Sequence, residues 1–266
     1  MENSFNYKGI EIVYTSNGKG EVIVLLHGYL ESKKIWNNFS GKLEENFRVI
    51  CVDLPGQGSS GTYGEIHTME FMASALKSLI ENLNLTRVFM TGHSLGGYVT
   101  LAFLELFPEY LSGYCLFHSQ PFADEEAAKD KRKREIELVK AGKKNLMYPD
   151  NVEKMFASYN LEKFSEEVLR SREIASELPP EGIIAMLNGM MARPSRVTIV
   201  EEGRVPFLWI LGSDDNYIPS DIVEKVNLPP NAEVVFLQKS GHLGFIEEEE
   251  VSLRALINFV RLYIIV

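Results

Sequence analysis

Short apolar runs alternate with amphipathic segments along most of the chain. Runs rich in Ile and Val predict seven strands, at Gly9–Thr15, Glu21–Leu26, Arg48–Val52, Arg87–Met90, Leu111–Phe117, Val205–Leu211 and Glu233–Leu237. Helical periodicity separates most of them, at Lys33–Asn46, Thr68–Leu83, Leu95–Phe107 and, after the last strand, Glu248–Tyr263. Alternating apolar strands and helices predict an α/β fold with a mostly parallel, twisted sheet and helices on both faces. The turn at residues 16–20 contains two glycines and predicts that the first two strands form an antiparallel hairpin.

The strand pattern stops after His118 for about 85 residues. Helical signals replace it, at Glu125–Ala141, Val152–Tyr159, Ser165–Leu178 and Glu181–Ala192. Because one helix is enough for a crossover between parallel strands, we interpret residues 120–203 as a helical lid subdomain inserted in the core. Residues 1–119 and 204–266 then form the core.

Composition narrows the possible partners and the expected location. The 27 basic and 37 acidic residues give a net charge of −10, so no overall positive field is available to attract nucleic acid. The polar N-terminus has no signal-peptide core, and no run reaches the roughly 20 apolar residues of a membrane span, so we expect a cytoplasmic protein without a membrane partner. Cys51 and Cys115 lie in apolar runs and are predicted to be reduced core residues. The oligomeric state stays open.

A candidate nucleophile lies between the fourth predicted strand and the helix that follows it. Gly92-His93-Ser94-Leu95-Gly96 fits the G-x-S-x-G pattern, in which a sharp turn exposes the serine hydroxyl and the glycines let neighbouring backbone approach. A glycine-rich turn with an incidental serine is the alternative interpretation. A second glycine loop follows the second strand at Gly28, and we predict that the backbone N–H groups of Tyr29 and Leu95 form an oxyanion hole.

A serine hydroxyl needs an adjacent base, and the chain has five histidines. The base is sought among His27, His67, His93, His118 and His242. His27 and His93 stand beside the motif glycine and serine, where local packing explains them, His67 precedes a helix, and His118 ends a strand near the lid. His242 follows the last strand, so its loop reaches the carboxyl edge of the sheet. We therefore predict His242 as the base.

The loop after Val205–Leu211 offers two acids, Asp214 and Asp215. Together with the elbow, the early His-Gly, the Asp-Leu-Pro-Gly segment at residues 53–56 and the final Gly-His, this loop makes the chain resemble the α/β-hydrolase superfamily. The resemblance covers about residues 10–118 and 205–262. It implies that the acid is the aspartate four residues before Pro219, which is Asp215, with Asp214 as the fallback. The order Ser, Asp, His is also that of the superfamily.

The resemblance and the triad imply a serine hydrolase, similar to carboxylesterases, that cleaves a small-molecule ester, thioester or lactone through an acyl-enzyme, without a metal or other cofactor. C–C bond hydrolases, haloperoxidase-like enzymes and lyase-type members also keep a serine, and a ligand-binding protein without turnover is the alternative from another class. We predict that substrate is bound by His118, Met186, Leu187, Met190 and Arg193. Core packing is the other interpretation of the Leu and Met residues, and helix capping that of Arg193. The basic stretch between Lys129 and Lys144 is interpreted as a solvated helix face, with attraction of an anionic substrate as the alternative.

Overall fold

A computed structural model describes residues 2–263 as one eight-stranded sheet flanked by helices. The strands are β1 (Glu2–Tyr7), β2 (Ile10–Asn17), β3 (Val22–Leu26), β4 (Arg48–Val52), β5 (Val88–His93), β6 (Leu111–Phe117), β7 (Phe207–Gly212) and β8 (Ala232–Leu237). The α-helices are α1 (Asn37–Leu43), α2 (Met69–Asn82), α3 (Leu95–Leu106), α4 (Glu126–Lys140), α5 (Tyr148–Glu153), α6 (Ser165–Glu177), α7 (Pro180–Ala192), α8 (Val197–Glu201), α9 (Gly244–Glu247) and α10 (Glu249–Tyr263). Short 3₁₀ helices cover Lys33–Trp36, Pro108–Tyr110, Lys144–Leu146, Ser158–Asn160 and Ser220–Lys225.

The sheet order is β1-β2-β4-β3-β5-β6-β7-β8, and all neighbours from β4 to β8 are parallel. Every residue of β3, β5 and β7 is buried, as expected when helices cover both faces of a parallel sheet. Helix α1 contacts α10, and α2 contacts α3. This architecture confirms the predicted α/β fold.

The predicted hairpin between the first two strands is wrong. Strand β4 lies between β2 and β3, pairing antiparallel with β2 and parallel with β3. The hairpin partner of β2 is β1, which the sequence did not predict because its residues are polar and largely exposed. Lys8 and Gly9 connect the two strands with φ of 51° and 88°, the positive values that suit a tight two-residue turn. A polar strand at the sheet edge limits pairing with other chains.

The segment between β6 and β7 is helical, as predicted, but its helices differ in detail. Helices α4, α6 and α7 agree with the prediction within two residues at each end. The helix predicted at Val152–Tyr159 is wrong: α5 covers Tyr148–Glu153, and Pro149 in its first turn is a start signal that the periodicity missed. Helix α8 was not predicted. The division into core and lid stays a prediction.

Two further sequence expectations concern cysteine and the membrane. Cys51 and Cys115 are buried free thiols, as predicted, and burial raises the pKa of Cys51 to about 12. Among the helices within residues 2–263, none combines the length and apolar character needed to cross a bilayer. The cytoplasmic location stays a prediction.

Candidate active site

Ser94 lies in a strained turn between β5 and α3. Its φ of 48° and ψ of −112° fall in a region that non-glycine residues rarely adopt. A Cβ at Gly92 would lie 2.3 Å from the Gly96 carbonyl oxygen, and one at Gly96 would lie 2.5 Å from that of Leu26. The turn therefore requires glycine at both positions, and it leaves Ser94 partly exposed.

Two loops at the same edge of the sheet bring an imidazole and a carboxylate together. His242 follows β8, and its Nδ1 lies 2.7 Å from Oδ2 of Asp215, which follows β7. The other oxygen of Asp215, Oδ1, accepts from the backbone N–H groups of Tyr217 (2.8 Å) and Ile218 (3.0 Å). Burial by itself would raise the pKa of Asp215, but the two imidazoles beside it and their hydrogen bonds hold that pKa well below its usual range.

Asp214 lies outside this arrangement. It is exposed, and its carboxylate accepts from the hydroxyl of Tyr159 at 2.7 Å. Of the two acids that the sequence offered, Asp215 is the one in contact with His242.

The second imidazole on Asp215 belongs to His118, which was predicted to bind substrate. His118 is fully buried and is not among the residues that line the cavity described below, so its role in substrate binding stays a prediction without support from the cavity. Its Nε2 accepts from the N–H of Gly244 at 3.0 Å, and its Nδ1 lies 3.2 Å from Asp215 Oδ2. Burial lowers the pKa of His118 to about 4, so the ring is neutral near pH 7. His118 therefore contacts the Asp215 carboxylate from outside the cavity.

Ligand atoms of His118, Asp215 and His242 lie within 4.8 Å of one another, a spacing that also suits a metal ion. Both rings, however, direct Nδ1 at the same Asp215 oxygen, and Nε2 of His118 is engaged by a backbone N–H. The set is therefore satisfied as a hydrogen-bonded cluster.

The two predicted oxyanion donors belong to different loops: Tyr29 follows β3, and Leu95 begins α3 directly after Ser94. Within the described residues, the N–H of Gly28 donates to Glu31 Oε2 at 2.6 Å, whereas the N–H groups of Tyr29 and Leu95 have no protein acceptor. Leu95 opens α3, where the first N–H groups of a helix have no intrahelical partner. Both N–H groups are thus available to a ligand.

A cavity of about 190 Å³ contains Ser94 and His242 in its lining. The loop after β3 contributes Tyr29, and the segment between β6 and β7 contributes most of the opposite wall: Gln120, Asp124, Ala128, Lys131, Arg132, Glu135, Asn151, Met155 and Met190. Met190 belongs to this lining, and its role in substrate binding stays a prediction. Met186 and Leu187 do not line the cavity; both are fully buried in the core, so the packing interpretation of their spacing holds.

Charged side chains from the segment between β6 and β7 form part of the cavity lining. Arg132 donates from Nε to Oδ2 of Asp124 at 2.6 Å, and Arg193 lies 2.7 Å from Oδ1 of the same carboxylate. Arg193 itself is outside the cavity lining: it donates to the carbonyl of Met190 at 2.9 Å and lies over the ring of Tyr98, 3.9 Å from its centre. These contacts agree with the helix-capping interpretation, and the role of Arg193 in substrate binding stays a prediction.

Sequence reasoning missed the polar lining of this cavity. Tyr98, Asp124, Arg132 and Glu135 carry no motif, and Arg132 was included in a stretch interpreted as solvated. The helical spacing could have identified Arg132 as a lining residue, because positions 128, 132 and 135 share one face of α4 with the buried Ile136 and Val139.

Comparison with known proteins gives relatives of several activities. The chain is 26% identical over 246 residues to the dihydrolipoyllysine-residue acetyltransferase component of the acetoin cleaving system of Pseudomonas putida, covering 91% of this chain but only 64% of that protein. It is 26% identical over 275 residues to the 2-hydroxy-6-oxononadienedioate/2-hydroxy-6-oxononatrienedioate hydrolase of Paraburkholderia phymatum, covering 94% and 91% of the two chains. A thermophilic esterase from Thermogutta terrifontis, solved with malate bound, superposes with a TM-score of 0.92 at 26% identity over 98% of each chain.

The sequence profile of the α/β hydrolase fold matches residues 21–249, which span the sheet from before β3 to the start of α10. This match covers well over half of the chain and agrees with the strand order and with the strained serine turn. The chain therefore belongs to the α/β hydrolase family.

Proposed function

We propose that this hydrolase is a serine hydrolase that cleaves a small-molecule ester, thioester or lactone through an acyl-enzyme. The observation that carries the proposal is the 2.7 Å contact between His242 and Asp215, with Ser94 and His242 lining the same cavity. Ser94 is the proposed nucleophile, His242 the base and Asp215 the acid that orients it.

The geometry suits the steps of acyl transfer. The Ser94 hydroxyl attacks the substrate carbonyl while His242 Nε2 takes its proton, since Nδ1 is held by Asp215. The carbonyl oxygen becomes an oxyanion that accepts from the N–H groups of Tyr29 and Leu95. His242 then gives the proton to the departing alcohol or thiol, or to the ring oxygen of an opened lactone. Water, deprotonated by the same imidazole, attacks the acyl-enzyme, and the imidazolium returns the proton to the Ser94 oxygen as the acid is released.

The relatives support this reaction class and leave a second candidate. The Thermogutta esterase supports ester cleavage, since it matches over 98% of the chain. The Paraburkholderia hydrolase supports C–C bond cleavage, in which the same serine would attack a carbonyl carbon and the adjacent C–C bond would break. We favour the ester because the triad and two free N–H donors suffice for it.

We further propose that the segment at residues 120–203 acts as a lid that sets substrate choice. It supplies the wall opposite Ser94, including the charged side chains of Asp124, Arg132 and Glu135 and the apolar side chain of Met190. A cavity of about 190 Å³ with such a wall favours a short acyl group that carries a hydrogen-bonding substituent over a long alkyl chain.

The test combines active-site labelling with a substrate screen. Wild type should react with a fluorophosphonate probe and hydrolyse p-nitrophenyl esters, with the shortest chains preferred. Ser94→Ala should fold normally, fail to label and lose hydrolysis by a factor of order 10⁴ or more. Thioesters, lactones and a vinylogous 1,5-diketone complete the screen. Cleavage of the diketone alone would transfer the assignment to C–C hydrolysis, and labelling or turnover by Ser94→Ala would remove the proposal.

A further inference from the structure

A buried pair of ionisable side chains lies directly beside the proposed triad. Glu31 and His93 are 3% and 0% exposed, and Nδ1 of His93 lies 2.9 Å from Oε2 of Glu31. The other ring nitrogen, Nε2, lies 2.9 Å from the backbone carbonyl oxygen of His242. The same Glu31 oxygen accepts from the N–H of Gly28 at 2.6 Å.

These contacts specify where the protons are. A carbonyl oxygen only accepts hydrogen bonds, and so does a carboxylate, so each nitrogen of His93 needs its own proton. An imidazolium beside an ionised Glu31 meets that requirement, and the pKa of Glu31 is held below its ordinary value by the His93 ring and the Gly28 N–H despite burial. Glu31 Oε2 accepts one hydrogen bond from the Gly28 N–H and a second from His93 Nδ1, as an ionised carboxylate oxygen can. The contacts therefore describe an imidazolium beside a carboxylate.

We propose that Glu31 and His93 form a buried carboxylate–imidazolium pair that positions both the oxyanion loop and the loop of His242. The proposal rests on the serine hydrolase function. The pair joins three loops: Gly28 follows β3, His93 precedes the nucleophile at the end of β5, and His242 follows β8. Glu31 holds the Gly28 N–H and so fixes the next peptide, whose Tyr29 N–H remains free. His93 holds the carbonyl of His242 and so fixes the base.

The groups around His93 determine the pH at which it loses a proton, and so the pH range in which the ion pair exists. The rings of Trp36 and Phe245 meet it edge-on, at 6.2 and 5.0 Å between centres. The ionisable groups that face it are Glu31, His27, His118, His242 and Asp215. Burial lowers the pKa of His93, but the Glu31 carboxylate outweighs it and raises that pKa above its ordinary value. The stabilisation is therefore complete below the ordinary histidine pKa and is lost as pH rises through the raised value.

The first measurement is nuclear magnetic resonance of the histidine rings in ¹⁵N-labelled wild type. At pH 7 His93 should show both ring nitrogens protonated, with the signal assigned by its loss in His93→Asn. A single protonated nitrogen on His93 at pH 7 would overturn the ion pair. This measurement needs no activity, so it separates failure of the pair from failure of the proposed function, which would appear as absent hydrolysis and absent labelling of Ser94.

The second measurement uses Glu31→Gln, which keeps the shape and one acceptor oxygen but removes the charge. We expect kcat to fall about 10- to 100-fold, the range for losing a hydrogen bond to a charged group, with KM little changed. The alkaline limb of the kcat profile should move to lower pH, because His93 loses its proton more readily. Glu45→Gln, at an exposed position, is the matched control.

A kcat and an alkaline limb that both match wild type in Glu31→Gln would refute the positioning role. If Glu31→Gln does not fold, the wild-type titration decides: loss of one His93 proton with rising pH must coincide with the alkaline fall in kcat. Independent titration of the two would equally refute the proposal.

Discussion

Replacing Asp215 by asparagine tests the proposed triad most sharply, because the surrounding donors fix the orientation of the new amide. Oδ1 of Asp215 accepts from two backbone N–H groups, those of Tyr217 and Ile218. An asparagine at this position must present its oxygen to those donors, so its NH₂ group faces His242. A donor opposite Nδ1 forces the ring to accept there and to carry its proton on Nε2. His242 then faces Ser94 with a protonated Nε2, which cannot accept the serine proton.

The magnitude follows from the loss of the correct tautomer. Fixing a triad histidine in the wrong tautomer costs about 10⁴ in kcat where it has been measured in another serine hydrolase fold, or about 5 kcal/mol of transition-state stabilisation. His118 adds to the disturbance, because its Nδ1 also faces the new NH₂ group. We therefore expect Asp215→Asn to lose about 10⁴ in kcat on a p-nitrophenyl ester.

The assay compares Asp215→Asn with Asp214→Asn at pH 7. Asp214 is exposed, and among the described residues its carboxylate bonds to the Tyr159 hydroxyl and not to His242, so its variant should keep kcat within a few-fold of wild type. Equal losses in the two variants, or a larger loss in Asp214→Asn, would refute the assignment. Circular dichroism and the melting temperature of each variant show whether a loss reflects unfolding instead.

Two further predictions concern the wall and the cluster behind Asp215. Met190→Ala should change the ratio of kcat/KM for a short and a long ester by up to about 1 to 3 kcal/mol, the effect of a methylene-sized change in a pocket. Leu187→Ala should keep the wild-type ratio and lose about 2 to 5 kcal/mol of unfolding free energy, because Leu187 is buried in the core. Equal ratios in the two variants would contradict the prediction for Met190. His118→Gln should flatten the pH dependence of stability, because a pKa of about 4 in place of 6.5 makes the wild type lose about 3 kcal/mol of unfolding free energy as pH falls from 6.5 to 4. Parallel curves from denaturant unfolding would contradict it.

The strands were the most predictable part of the fold. Arg48–Val52 and Leu111–Phe117 agree with the prediction to the residue, since the first is rich in β-branched residues, the second ends in an apolar run, and polar or proline-containing turns flank both. Pairing was less predictable. The turn at residues 16–20 looks like a hairpin, but β4 pairs with both β2 and β3, and local sequence does not encode which distant strand is inserted between two consecutive ones.

The residues of the site also differ in how far the sequence predicts them. Ser94, Asp215 and His242 carry motifs, because the turn around a nucleophile and the loops around its partners impose glycine and proline at fixed spacing. Glu31 and His118 carry none: each contacts an ionisable residue of the site that lies more than 60 positions away along the chain. Sequence spacing gives no account of such contacts, so the second imidazole on Asp215 and the pair beside Ser94 appear only in three dimensions.

Helix α4 shows why the charged part of the cavity lining was not predicted. Its composition is that of a solvated helix, and the exposed Lys133 and Arg134 fit that interpretation. Arg132 and Glu135, however, continue the buried stripe of Ile136 and Val139 at helical spacing towards the helix N-terminus. A stripe that is apolar in one half and charged in the other cannot pack wholly against a core, because unpaired buried charge is too costly. Such a change of polarity along one buried face indicates a polar cavity, and here it is the cavity that contains Ser94.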